Sequence, residues 1–345
     1  MCALRLVLLS ALCLLLPAAD WINSRGDAAR TGWQKRERYF KPATVKDLKM
    51  LWKYPLGAGE YFTAPIIIGP FVSHRGIKEL IFTAGSHNDV YAVDADLGRL
   101  FWKQQIEPVP ASNKPCGGSL TAGMALEPDL NPIPAHEDDD DYHARQRPLY
   151  VLTGTGMLHM LLPATGQDNG PVRRFLPANA TAGDLTYADG KVTTLVSGNC
   201  PGVSPGVWTI DKNSGKVSTS ALRTEMRNEA LWDGPAGSKW RFAVVPQGIQ
   251  AYRNGKMAWV NPMVNAAAPV IAGGVVFALG RGDSAKGVHA VLNAYDAATG
   301  KKLYSSGDNI NAAAPRGAIA LANGHIAFID ENKVLYCFGF PIEIF

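Results

Sequence analysis

The chain has 345 residues, 47% hydrophobic and 19% charged, with 35 Gly and 23 Pro; this mixture excludes collagen, coiled coil and wholesale disorder, and is long enough for one large domain or two small ones. The 34 basic and 30 acidic residues leave a net charge of +4, too balanced for the basic stripe of a dedicated nucleic-acid binder. Charge alone names no partner.

Residues 1–19 read as a secretory signal: Arg5, an apolar run from Leu6 to Leu16, then Pro17-Ala18-Ala19 ahead of Asp20. The run falls short of the roughly 18–20 apolar residues that a membrane-spanning helix needs, with an uncleaved N-terminal anchor as the alternative. Leu12 before Cys13 is too large for a lipidation signal. The expected protein is therefore secreted or periplasmic, with no transmembrane span once the signal is removed. A leading segment, 20–47, precedes the repeated region, 48–345.

Removing the signal leaves Cys116, Cys200 and Cys337. Cys116 and Cys200 lie in Gly/Pro-rich loops and form a possible disulfide in an oxidising compartment. Cys337, inside the apolar run Val334 to Phe338, reads as a buried thiol. No C-x-x-C occurs, so a zinc ribbon, a thioredoxin-type site and covalent haem are all unsupported.

A phrase recurs along the chain: a short apolar strand, Asp, a small residue and Gly, then an aromatic. The fullest copy runs from Ala92 and Asp94 through Gly98 to Trp102, and Ala294, Asp296, Gly300 and Tyr304 keep the same spacing. Asp211 and Gly215 belong to a third copy, and Met160 to Gly166 and Ala251 to Gly255 are degraded ones. The turn glycines at 98, 166, 215, 255 and 300 step by 68, 49, 40 and 45 residues. The long step holds a polar, Pro-rich insertion, 128–147, that includes Glu137-Asp138-Asp139-Asp140-Asp141. Excising about 20 residues restores a period in the forties, the length of one four-stranded propeller blade.

Turn chemistry explains the phrase, because Asp can accept the turn's own N–H groups while Gly adopts a positive φ. Further strand pairs precede the copies: Ala64 to Ile68 with Glu79 to Ala84, Val270 to Gly273 with Val275 to Leu279, and Ile319 to Ala322 with His325 to Ile329. No window shows a sustained helical apolar stripe. The expected fold is all-β, a propeller of about six four-stranded antiparallel blades, with seven as the alternative count. Its last unit lacks an outer strand, and Leu48 to Tyr54 supplies one, since Leu51-Trp52-Lys53 parallels Phe101-Trp102-Lys103. That pairing would close the ring and hide two sheet edges.

These residues resemble the repeat of the pyrroloquinoline-quinone (PQQ)-like β-propellers, the quinoprotein alcohol dehydrogenase-like superfamily. The resemblance runs from Trp21 to Gly32, across the repeats, to the closing Leu335-Tyr336-Cys337-Phe338-Gly339. It is nearest to exported bacterial PQQ-binding-like repeat proteins. It implies that Ala92, Gly98 and Trp102, and Ala294, Gly300 and Tyr304, are architectural and lock neighbouring blades. The chain departs from the family in keeping Trp in only one of these copies and in a count of about six blades where the family usually has seven or eight.

The resemblance also implies a possible oxidoreductase, with PQQ over the central funnel beside Ca²⁺, an Asp base and a vicinal disulfide. This chain has no adjacent cysteines, and Asp94, Asp211 and Asp296 map to structural turns. Gly202-Val203-Ser204-Pro205-Gly206 matches a nucleophile elbow in letters but sits in a Pro-rich loop. The acidic run 137–141 lacks the turn-forming Gly of a Ca²⁺ loop, the seven His are scattered, and both Arg-Gly-Asp triplets are assigned no function. The resulting expectation is a non-catalytic binding or assembly scaffold whose partner is a protein or cell-envelope component, as similar propellers serve in outer-membrane protein assembly. The alternative is a PQQ-dependent alcohol or sugar dehydrogenase, intact or degenerate, and a third reading is a degenerate propeller fragment from a larger enzyme.

Overall fold

The structure, a computed structural model, describes residues 19–73, 75–108, 122–128, 147–178, 180–197, 200–221, 229–314 and 317–341. Cys116 and nearly all of the insertion 128–147 lie outside the described residues, as do residues 1–18 of the signal. The chain is all-β, and the described residues form six sheets. Sheet I is an antiparallel meander of Ile66–Ser73, Gly76–Ala84, Asp89–Asp94 and Leu100–Gln105. Sheet II follows with Ala125–Leu126, Leu149–Leu152, Met157–Leu161 and Arg173–Arg174. Sheet III centres on Lys191–Ser197, Gly206–Asp211 and Val217–Ser220, and its first position is shared by two short strands, Thr181–Ala182 and Thr186–Ala188.

Sheet IV contains Glu229–Asp233, Lys239–Val245, Gly248–Arg253 and Lys256–Pro262. Sheet V contains Val270–Ala272, Val275–Gly280, Val291–Asp296 and Lys302–Ser305, with Trp33–Gln34 added in parallel beside Val270–Ala272. Sheet VI combines Ala320–Ala322, His325–Ile329 and Val334–Gly339 with Lys49–Pro55 from the other end of the chain. In that last pairing Trp52 lies opposite Cys337, and Lys53 opposite Tyr336. Sheets I, II and IV are plain four-stranded antiparallel meanders, the topology of a propeller blade, and the other three vary it at an edge.

The inner strands are apolar on both faces because a neighbouring sheet covers each side. Asp89–Asp94 and Val275–Gly280 are buried throughout, whereas the outer strand Val217–Ser220 is largely exposed. One hydrophobic cluster joins sheets V, VI and I, a second joins I and II, a third II and III, and two more join IV and V. Among the described residues none of these clusters spans sheets III and IV. The leading segment, which the sequence sets apart from the repeated region, contributes a strand to sheet V and buries Trp21 and Phe40 completely.

Candidate functional site

The repeat phrase builds a turn and a lock. Asp94 Oδ1 accepts the backbone N–H groups of Asp96 and Leu97 at 3.1 and 3.0 Å; Asp211 does the same for Asn213 and Ser214, and Asp296 for Ala298 and Thr299. The turn hydrogen bonds hold the Asp211 carboxyl below its usual range, beginning with that from the Ser214 N–H. Gly98 closes the first turn at φ +65°. A Cβ there would lie 2.5 Å from the indole of Trp52, which belongs to the preceding sheet VI.

The same contact recurs from sheet to sheet. Trp52 Nε1 donates to Ala95 O at 2.7 Å, Trp102 to Pro163 O at 2.7 Å and Trp259 to Ala297 O at 3.0 Å. In each case the indole covers the turn glycine three residues further on, Gly98, Gly166 or Gly300. Ala92 lies opposite Trp102 and Ala294 opposite Tyr304.

Trp259 stands four residues after Gly255, the spacing from Gly98 to Trp102, so the degraded copy has kept its aromatic. That spacing could have revealed it. Arg173 replaces the indole at Gly215, donating to Asn213 O at 3.1 Å. Tyr304 receives no such turn, because at its seam sheet VI is completed by the two chain ends.

Gly300 and Gly255 make a controlled pair. Both have positive φ, +72° and +80°, but a Cβ at Gly300 would meet the Trp259 ring at 2.7 Å whereas one at Gly255 would meet nothing within 4 Å. Gly255→Ala is expected to cost about 1 kcal/mol for backbone strain alone, and Gly300→Ala roughly 1–3 kcal/mol more because the indole is displaced. Urea denaturation of the two variants checks the difference; equal midpoints would remove the lock from the account.

The leading segment touches every sheet at its first strand or beside it. Ala19 N donates to Asn323 Oδ1 beside the first strand of sheet VI, and Trp21 bridges Ile67 of sheet I. Ile22 O accepts Leu126 N of sheet II at 2.8 Å. Ser24 and Arg30 both reach Asp184 of sheet III. Thr31 O accepts Leu231 N of sheet IV, and Gly32 O accepts Ile271 N of sheet V, each at 2.8 Å.

Arg25 stands at the middle of this path, 8% exposed. Its guanidinium donates to Glu229 O at 2.6 Å, Pro269 O at 3.1 Å and Ala268 O at 3.4 Å, tying sheet IV to sheet V. Burial, reinforced by the charge of Arg30, pulls its pKa down to about 10, so it remains charged at neutral pH. Arg25 and Gly26 of the Arg-Gly-Asp triplet are therefore buried, while Asp27 is half-buried. Asp27 Oδ2 accepts the Thr31 hydroxyl at 2.8 Å.

The PQQ and Ca²⁺ implied by the resemblance belong over the central funnel. Here the first-strand regions of the six sheets contact the chain's own residues 19–34, in which the terminal guanidinium nitrogens of Arg25 donate to carbonyls and the Ser24 hydroxyl donates to Asp184. Asp94, Asp211 and Asp296 are committed to their own turns. These described residues do not fit the cofactor pair. Cys200 is disulfide-bonded and Cys337 is a buried free thiol, and the expected Cys116 partner lies outside the described residues.

Two further features lie where sheets VI and I meet. On one side a cleft of about 120 Å³ is lined by Glu60, Phe62, Pro65, Ile329, Asp330 and Lys333 among others. Burial raises the Asp330 pKa, and the Tyr336 hydroxyl donates to Asp330 Oδ2 at 3.2 Å. The other feature is a cluster of Glu79, Asp96 and His325. Burial disfavours the His325 imidazolium, but the carboxylates of Asp96 and Glu79 outweigh it and raise the pKa to about 9. Elsewhere His159 Nδ1 lies 3.0 Å from Asp168 Oδ1, and Ser204 sits in a loop where its carbonyl accepts Trp208 Nε1 at 3.2 Å.

No known protein family matches the chain, and no curated protein does. Solved structures similar to it include BamB from Moraxella catarrhalis, with 14% identity over 86% of this chain and 99% of that one, at a TM-score of 0.30. The WD40 domain of Neurospora crassa Pan2 shows 10% identity over 87% and 97%, at a TM-score of 0.46. The computationally designed protein Ika8 shows 11% identity over 83% and 98%, at 0.42. The chain's own sheets define the class, an all-β protein of repeated four-stranded meanders. No helix among the described residues is long and apolar enough to cross a membrane.

Proposed function

We propose that the six sheets are blades of one closed PQQ-like β-propeller, exported to the periplasm or beyond, and that it serves as a non-catalytic scaffold for binding or assembling a protein or cell-envelope component. The observation that carries this reading is the path of residues 19–34, which contact the first-strand region of every sheet in turn. A segment that visits sheets VI, I, II, III, IV and V in that order is what radial blades around a common axis require. With the axis filled by protein, the loop faces and outer strands remain as the surface for a partner. Pairing of Lys49–Pro55 with Val334–Gly339 supports closure by the two ends, which protects strand edges from adventitious association.

The dehydrogenase reading is the outcome that would displace this one. Purified protein incubated with PQQ and Ca²⁺ is expected to oxidise alcohols and aldoses no faster than free PQQ in a dye-linked assay, and to show no cofactor-dependent rise in melting temperature. Turnover above the free-cofactor control would reject the scaffold. A melting shift without turnover would show that a cofactor site survives.

A further inference from the structure

We propose that Glu79, Asp96 and His325 form a binding site for one divalent transition-metal cation of the zinc class, which pins sheet VI to sheet I. Glu79 lies on the strand Gly76–Ala84 and Asp96 on the turn after Asp89–Asp94, both in sheet I. His325 opens the strand His325–Ile329 of sheet VI. One ligand atom from each residue lies within 4.8 Å of the other two, a spacing that a single ion can bridge once one carboxylate swings from its own ring nitrogen toward the nitrogen that takes the ion.

Hydrogen bonding leaves this cluster unfinished. His325 Nδ1 is 3.2 Å from Glu79 Oε2, and Nε2 is 3.4 Å from Asp96 Oδ1; these are ion-pair distances, but His325 Nδ1 and Glu79 Oε2 are both buried and neither makes a hydrogen bond of good geometry. His325 is 7% exposed, so bulk water does not satisfy its ring. Unpartnered buried polar atoms are uncommon and call for an explanation such as a bound ion.

Charge points the same way. The two carboxylates face one imidazole, Glu37 adds a third negative charge near Glu79, and the neighbouring Lys78 is paired with Asp94 at 2.9 Å. A divalent cation offsets the two ligand carboxylates.

One imidazole nitrogen with two carboxylate oxygens is a donor set for zinc or a similar first-row ion, whereas Ca²⁺ and Mg²⁺ favour all-oxygen shells. Asp96 is 35% exposed in its side chain, which gives water access to the remaining coordination position. The ion bonds to the neutral imidazole nitrogen; the proton carried by His325 in the absence of metal passes to solvent, and no electrons are transferred. The site lies at the seam where the chain ends meet, since His325 is opposite Gly339 and Gly339 is opposite Lys49.

The test uses full-length protein without a histidine tag, stripped with chelator and titrated with ZnCl₂, MnCl₂ or CaCl₂. Zinc is expected to bind at one equivalent by elemental analysis and calorimetry, release up to one proton at neutral pH, and raise the melting temperature by a few degrees. Asp96→Asn and His325→Gln should abolish the zinc response. Cobalt(II) in the unaltered protein should show a visible spectrum changed from the aqueous ion, so the proposal stays testable if either variant fails to fold. Absence of stoichiometric zinc, zinc binding that survives both substitutions, an equal response to calcium, or an aqueous cobalt spectrum would each overturn the site and leave His325 as a protonated clamp between two carboxylates.

Discussion

Arg25→Ala is expected to lower the unfolding free energy by about 3–5 kcal/mol, because the substitution removes all of the guanidinium donors from three interior carbonyls at once. Glu229 O and Pro269 O belong to the approaches of different sheets, so no small rearrangement serves both. Arg25→Lys should recover only part of the loss, since an ammonium lacks the planar fork that spans the two acceptors. The effect should also be long-range. Amides of Leu126, Leu231 and Ile271, which donate to Ile22, Thr31 and Gly32 in three different sheets, should exchange with solvent faster in the variant. Urea denaturation and hydrogen exchange check this. A loss under about 0.5 kcal/mol, or faster exchange confined to sheets IV and V, would show that the leading segment does not hold the sheets together.

Trp102→Ala carries the second large effect, about 3–5 kcal/mol for emptying an indole-sized space between sheets I and II. Trp102 is 8% exposed, packs against Phe82 with ring centroids 5.8 Å apart at a tilt of 44°, and covers Gly166. Trp102→Phe should cost about 1–2 kcal/mol, most of it from leaving Pro163 O without its donor. Tyr304→Ala should cost less than Trp102→Ala, because Tyr304 is only half-buried and covers no turn. Chemical denaturation of the three variants gives the ranking; Tyr304→Ala matching Trp102→Ala would mean that bulk, and not the indole-to-turn lock, sets the cost. The Trp102 and Trp259 losses should add, since the residues occupy separate seams.

The turns were legible because their chemistry is local. Asp accepts from residues two and three places on and Gly closes the loop four places on, so Asp94 to Gly98, Asp211 to Gly215 and Asp296 to Gly300 declare themselves within a few letters. The outer strand of the last sheet was legible for a similar reason, as Trp52 stands in the same local pattern as Trp102. The Glu79, Asp96 and His325 cluster was not. His325 lies 246 residues from Glu79 and carries no spacing signature, so only the packing of sheet VI on sheet I brings them together.

From the amino-acid order alone came the class of fold, the strand-and-turn rhythm and the residues that terminate each hairpin, since these rest on hydrogen bonds and φ preferences between near neighbours. Only the tertiary structure decided that residues 19–34 contact all six sheets, that each indole covers the next sheet's turn and not its own, and that Arg25 joins sheets IV and V. Those choices depend on which distant carbonyls and glycines arrive beside a given side chain, and that information is held in the assembled packing.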